Sequence, residues 1–245
     1  MECSGEVRDA FIRAGHDAIS VDLLPTINPG PHAQMDAFEF METERGRASD
    51  LVVAHPTCTY LTCSGLHWNK RPGYEWRAAE TEKALLDIER LWTLPVKKLI
   101  FENPKGCIPT RLGEKYPALK RYQVVQPYDH GHDASKATCL WSRDENGEPL
   151  PPLRPTVRFP GRWVTDPRTG KLVERWSNQT DSGQNRLPPS EDRWLQRSYT
   201  YPGIAQALVR AVGGEGIRQS LADLEFHVSE VTSAMERNRD GRTNA

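Results

Sequence analysis

The stretch Leu51-Val52-Val53-Ala54-His55-Pro56-Thr57-Cys58 constrains this chain more than any other. Four aliphatic residues, preceded by Asp50 and followed within two positions by a proline, predict a short buried strand of the kind parallel sheets use. Proline lacks a backbone N–H and fixes φ, so the strand must end there in a stiff turn. In open α/β sheets, ligands sit beyond the carboxyl ends of the parallel strands. Cys58 is delivered to that edge, which makes it the candidate nucleophile.

The neighbouring segments fit the same class. Ser4-Gly5 is a turn, and Val7, Ala10, Phe11 and Ala14 follow at helical spacing until Gly15 stops the helix. Ala18 to Asp22 and Ala33 to Asp36 read as brief strands with acidic ends; in nucleoside-binding sheets a carboxylate placed so accepts hydrogen bonds from ribose hydroxyls. Tyr74 to Leu94 predicts a helix whose stripe is Ala84, Leu85, Ile88, Leu91 and Trp92, ended by Pro95. Lys98 to Phe101 is the next strand, with Glu102-Asn103-Pro104 at its tip. Tyr122 to Gln126 and Ala137 to Trp141 are joined by a connection short enough to make them antiparallel neighbours. Tyr201-Pro202-Gly203 opens a helix through Val212. Strands alternating with helices predict an α/β fold.

The 245 residues suffice for one large domain with a smaller insertion. A net charge of -1 gives no global field for nucleic acid or membrane, so any such patch is local. Five cysteines without a disulfide framework, and no leader or 18-residue apolar run, point to a reduced, cytoplasmic protein without a membrane partner. From Ser142 to Gln196 the periodicity disappears. A hairpin is expected around Asp166 to Gly170, and between Leu150 and Ser190 seven Arg and Lys face three acids, with Trp163 and Trp176 interleaved. That composition suits phosphate contacts and base stacking. From Ile217 to Met235 an amphipathic stripe offers a face to the chain's own body or to a second copy as a homodimer.

Cys58 gains meaning beside a carboxyl. A thiolate can add to C6 of a pyrimidine while a neutral Glu102 donates to N3, which raises electron density at C5 for attack on a methyl group. A thiol of pKa about 8.5 and a carboxyl near 4.3 both need tuning for this, by burial of Glu102 and a cation such as Lys136 near Cys58. His55, Cys58, Cys63 and His67 have spacings that could also describe a zinc site, but zinc would leave Glu102 without a role. Asp129-His130-Gly131-His132-Asp133 reads as a solvated loop, because adjacent ligands on one tight turn rarely converge. Cys63, Cys107 and Cys139 read as small apolar side chains.

The order Cys3-Ser4-Gly5, Asp22, Asp36, Pro56-Thr57-Cys58, Glu102-Asn103-Pro104, Val125-Gln126-Pro127-Tyr128-Asp129-His130-Gly131, Lys136-Ala137-Thr138 and Gly203-Ile204-Ala205 resembles the C5-cytosine DNA methyltransferases, in particular their short, phage-type relatives. The resemblance covers about residues 1–141 and 198–213. It implies a Rossmann-like sheet with helices on both faces, residues 142–197 as a small target-recognition-like insertion, and 214–245 as a C-terminal helix and tail. Its implied activity is methyl transfer from S-adenosylmethionine to C5 of cytosine in DNA or a nucleotide, in a bacterial host's cytoplasm if the chain is phage-encoded. The catalytic set implied is Cys58, Glu102, Asn103, Lys136 and Thr138; the cofactor set is Cys3, Ser4, Gly5, Asp22, Asp36 and Pro56. The alternative expectation is a non-catalytic nucleic-acid-binding protein with the same fold. Where the family carries Arg-x-Arg, this chain has Lys136-x-Thr138, which lacks a planar bidentate donor. The family's first strand should precede Cys3, where only Met1 and Glu2 stand, so an upstream start or a truncated chain is expected.

Overall fold

The computed structural model describes residues 2–191 and 193–213; the stripe from Ile217 to Met235 lies outside the described residues. In chain order the elements are α1 (Glu6–Arg13), β1 (Ser20–Asp22), β2 (His32–Gln34), α2 (Ala37–Met41), α3 (Glu44–Arg47), β3 (Leu51–Ala54), α4 (Cys63–Leu66), α5 (Trp76–Trp92), β4 (Lys98–Asn103), α6 (Ile108–Leu112), β5 (Gln123–Val125), β6 (Thr138–Asp144), β7 (Arg162–Thr165), β8 (Leu172–Arg175), α7 (Arg193–Ser198) and α8 (Pro202–Val212). The class is mixed α/β. No described helix is long and apolar enough to cross a membrane.

Two compact units share the chain. The first comprises residues 2–5, Ile19–Val125 and Ala137–Pro152. It holds a four-stranded sheet in the order β3-β4-β6-β5 and a separate parallel pair, β1-β2. β3 and β4 are parallel, while β6 is antiparallel to both β4 and β5. The stripe on α5 is buried as its spacing dictates. It packs with Leu99, Phe101 and Trp141 in one apolar cluster. Phe101 and Trp141 are cross-strand partners whose rings stack 5.0 Å apart, and fully burying each such side chain is worth roughly 1.5–3 kcal/mol. Arg143 closes the far end of α5, donating to the carbonyls of Trp92, Leu94 and Val96.

The edges of the two sheets carry a further detail. Ser20 N and Asp22 O turn toward β2 and its flanking residues, so the backbone of Val21 turns the other way. There its carbonyl accepts from Glu2 N at 3.1 Å. On β3, Asp50 O bonds Lys98 N, which leaves the polar groups of Leu51 and Val53 directed away from β4. Among the described residues no strand pairs with that edge.

The second unit comprises Glu6–Ala18, Gln126–Lys136 and the described residues from Leu153 onward. The apolar stripe of α1 packs on α8. A smaller core forms where Tyr128 stacks on Trp176 at 3.8 Å, with Phe159 alongside. The expected hairpin is present as β7-β8. The units divide the chain differently from the sequence boundaries. Loss of periodicity marks Ser142, but bonds from Thr156 N to Asp129 O and from Phe159 N to Tyr128 O attach the insertion to the segment before β6. That same segment departs from the solvated loop expected of it. His130 is only 2% exposed, Asp133 accepts from Ser177 N at 2.9 Å, and His132 Nε2 accepts from Gly203 N at 2.9 Å. A Cβ on Gly203 would stand 2.1 Å from the His130 carbonyl, so only glycine lets α8 approach this turn.

Candidate active site

β3 and β4 run parallel in the register Ala54↔Phe101, so His55, just past the end of β3, and Glu102, the last residue but one of β4, stand side by side. His55 Nδ1 lies 3.3 Å from Glu102 Oε1, with both side chains mostly buried. The contact is off the line of a hydrogen bond, and both ring nitrogens of His55 are buried without one.

The two loops that follow are stitched together. Asn103, fully buried, donates from Nδ2 to the carbonyl of Pro56 at 3.2 Å. Cys63 N donates to Lys105 O at 3.0 Å and Cys107 N to Leu61 O at 2.9 Å, and Thr62 and Gly106 form an antiparallel bridge. A Cβ on Gly106 would sit 1.9 Å from the Leu61 carbonyl, so the close approach needs glycine. Cys58 O accepts from Leu61 N and Thr62 N. The start of α5 completes the frame: Arg77 donates to Thr59 O at 3.3 Å, and Thr81 Oγ1 to Tyr60 O at 2.9 Å. Every carbonyl from Cys58 to Thr62 is thus engaged, which holds the Cys58 backbone in place before any ligand arrives.

All five cysteines are thiols. Burial pushes Cys3 and Cys107 above the ordinary thiol value and Cys139 up to about 11, so these three stay protonated at neutral pH. Cys58 is half-buried and Cys63 exposed; the latter departs from the apolar role expected of it, because α4 places it at a loop surface. Lys105 lowers and Glu102 raises the Cys139 thiol, which puts both charges in the same neighbourhood.

The expected cofactor residues lie in the first unit. Cys3 O accepts from Ile27 N at 2.8 Å, Ser4 donates to Glu2, and Gly5 turns with φ of 81°. Asp22 closes β1, and its Oδ1 accepts from Leu24 N at 3.0 Å. Asp36 does not end a strand: β2 stops at Gln34, and Asp36 caps α2, accepting from Phe38 N and Glu39 N. Each carboxylate keeps Oδ2 for another donor. Lys136 belongs to the second unit, where its Nζ donates to Tyr199 O at 3.3 Å and its backbone N to Gln126 Oε1 at 3.0 Å. Thr138 is buried at the start of β6.

Sequence reasoning missed three residues. His55 entered only as a metal ligand, yet its place beside Glu102 follows from the parallel register of β3 and β4. Among the described residues no three His, Cys, Asp or Glu side chains are grouped to hold a metal. Lys105, two positions past Asn103, is a cation near Cys139, and its place after a strand tip was the available signal. Gly106 gave no signal beyond its being glycine. Compared with models of known protein families and with curated proteins, the sequence matches none.

Proposed function

We propose that the protein methylates C5 of cytosine, with Cys58 as nucleophile and Glu102 as the proton donor to N3. The observation that carries this reading is the stitching of the Pro56–Cys58 loop to Glu102–Asn103 at the end of β4, the parallel neighbour of β3. A thiol on a fixed backbone and a carboxyl in a low-exposure niche are then presented from the same sheet edge.

In the reaction Cys58 Sγ forms a bond to C6 as Glu102 gives its proton to N3. The displaced π electrons gather at C5, which takes the methyl group. Transfer of the C5 proton to a solvent water and re-formation of the C5–C6 double bond then expel the Cys58 thiolate, and N3 returns its proton to Glu102. His55 stands 3.3 Å from the Glu102 carboxyl and walls one side of its niche. Arg77, which donates to Thr59 O one residue from Cys58, supplies positive charge beside the nucleophile loop.

S-adenosylmethionine, when bound, supplies the electrophilic methyl group. The residues that would hold it are those of the Cys3 to Gly5 turn, Asp22 and Asp36 through Oδ2, and Pro56. The parallel pairs β1-β2 and β3-β4 support the Rossmann-like part of this reading. The separation of the two sheets favours the alternative of a nucleic-acid-binding protein without cofactor.

Calorimetry with S-adenosylmethionine separates the two readings, and labelled methyl incorporation into duplex, single strand and free dCMP identifies the substrate. Absence of heat at millimolar cofactor with folded protein overturns the enzyme reading.

A further inference from the structure

The arginines of the insertion are largely paired with acids of their own unit. Arg158 pairs with Asp129 and Glu174, Arg162 with Asp181, and Arg168 and Arg175 with Asp166. The segment from Leu66 to Arg77, between the Cys58 loop and the body of α5, is different. Lys70, Arg71 and Arg77 have no carboxylate within ion-pair distance among the described residues. The segment's single acid, Glu75, is exposed and accepts from Gly73 N at 3.0 Å.

These cations are interleaved with aromatic planes. The Arg71 guanidinium lies 4.1 Å over Trp68, and Trp68 contacts Tyr74 at 5.3 Å between ring centroids. Arg77 lies 5.6 Å from the Trp76 ring centroid and also donates to Thr59 O, one residue from Cys58. Its Nε is buried without a hydrogen bond. Trp76 is 54% and Tyr74 40% exposed. Unneutralised cations beside exposed aromatic planes match a strand of unpaired nucleotides, whose phosphates seek charge and whose base faces seek rings. A duplex keeps those faces stacked inside.

We propose that residues 66–77 form a platform for single-stranded nucleic acid, on which nucleotides flanking the reactive cytosine stack. This rests on the cytosine reading for its orientation toward Cys58, and on the segment's own chemistry for binding.

The test is fluorescence anisotropy with the full chain and a labelled single-stranded oligonucleotide containing cytosine, against the same sequence as duplex. Single strand is expected to bind more tightly, and Trp76→Ala to weaken it by about tenfold, with circular dichroism confirming the fold. Trp163, 64% exposed on the hairpin, is the control, and Trp163→Ala should leave binding unchanged. Equal affinity for duplex, or loss with Trp163→Ala but not with Trp76→Ala, overturns the proposal. Strand binding through Trp76 without a Cys58 adduct keeps the platform and removes the methyl-transfer reading. An adduct with free 5-fluorocytosine nucleotide, without strand binding, does the reverse.

Discussion

The buried amide of Asn103 reaches from the end of β4 to the Pro56 carbonyl, 3.2 Å away, and so ties the carboxyl-bearing strand end to the thiol-bearing loop. Asn103→Ala leaves that carbonyl unpaired in a niche closed to water. The variant is expected to lose about 1–3 kcal/mol of stability, read as a lower urea midpoint, and to slow adduct formation at Cys58 more than the stability loss alone explains.

Gly106→Ala places a methyl group against the Leu61 carbonyl, so the bond from Cys107 N to Leu61 O must open. Overpacking of this kind costs about 1–3 kcal/mol. Proteolysis should find the segment from Cys58 to Cys63 cut faster than in the parent, with the β7-β8 hairpin unaffected.

His130 gives the second unit a pH dependence. Burial holds its imidazole below the ordinary 6.5, and Arg210 adds to the effect while Asp129 opposes it. The unfolded chain takes up this proton first, so the contribution to stability is complete above about pH 6.5 and is lost as pH falls toward the folded value. His130→Gln should flatten the fall in urea midpoint between pH 7.5 and 5.5; an unchanged slope would assign the dependence to other groups.

The strand-level organisation was legible because the signals are local. The Leu51–Ala54 run, the α5 stripe and the proline stops each fix an element from a few residues, and all appear within two or three positions of expectation. Asp36 shows the ambiguity of acids, since a carboxylate that could end a strand equally well caps a helix. The ion pairs that quiet Arg158 and Arg175 were invisible, because their partners are set by folding and not by spacing. Likewise His55 and Glu102 are 47 residues apart in the sequence, and only the parallel register brings them together.

Covalent trapping tests the central claim most directly. The full chain is incubated with S-adenosylmethionine and 5-fluorocytosine, in a single strand or as nucleotide, and the adduct is located by peptide mass. A stable adduct on the Cys58 peptide is expected, slowed about 10²–10⁴-fold by Glu102→Gln and abolished by Cys58→Ser. An adduct that survives Cys58→Ser, or that maps to Cys63, contradicts the assignment.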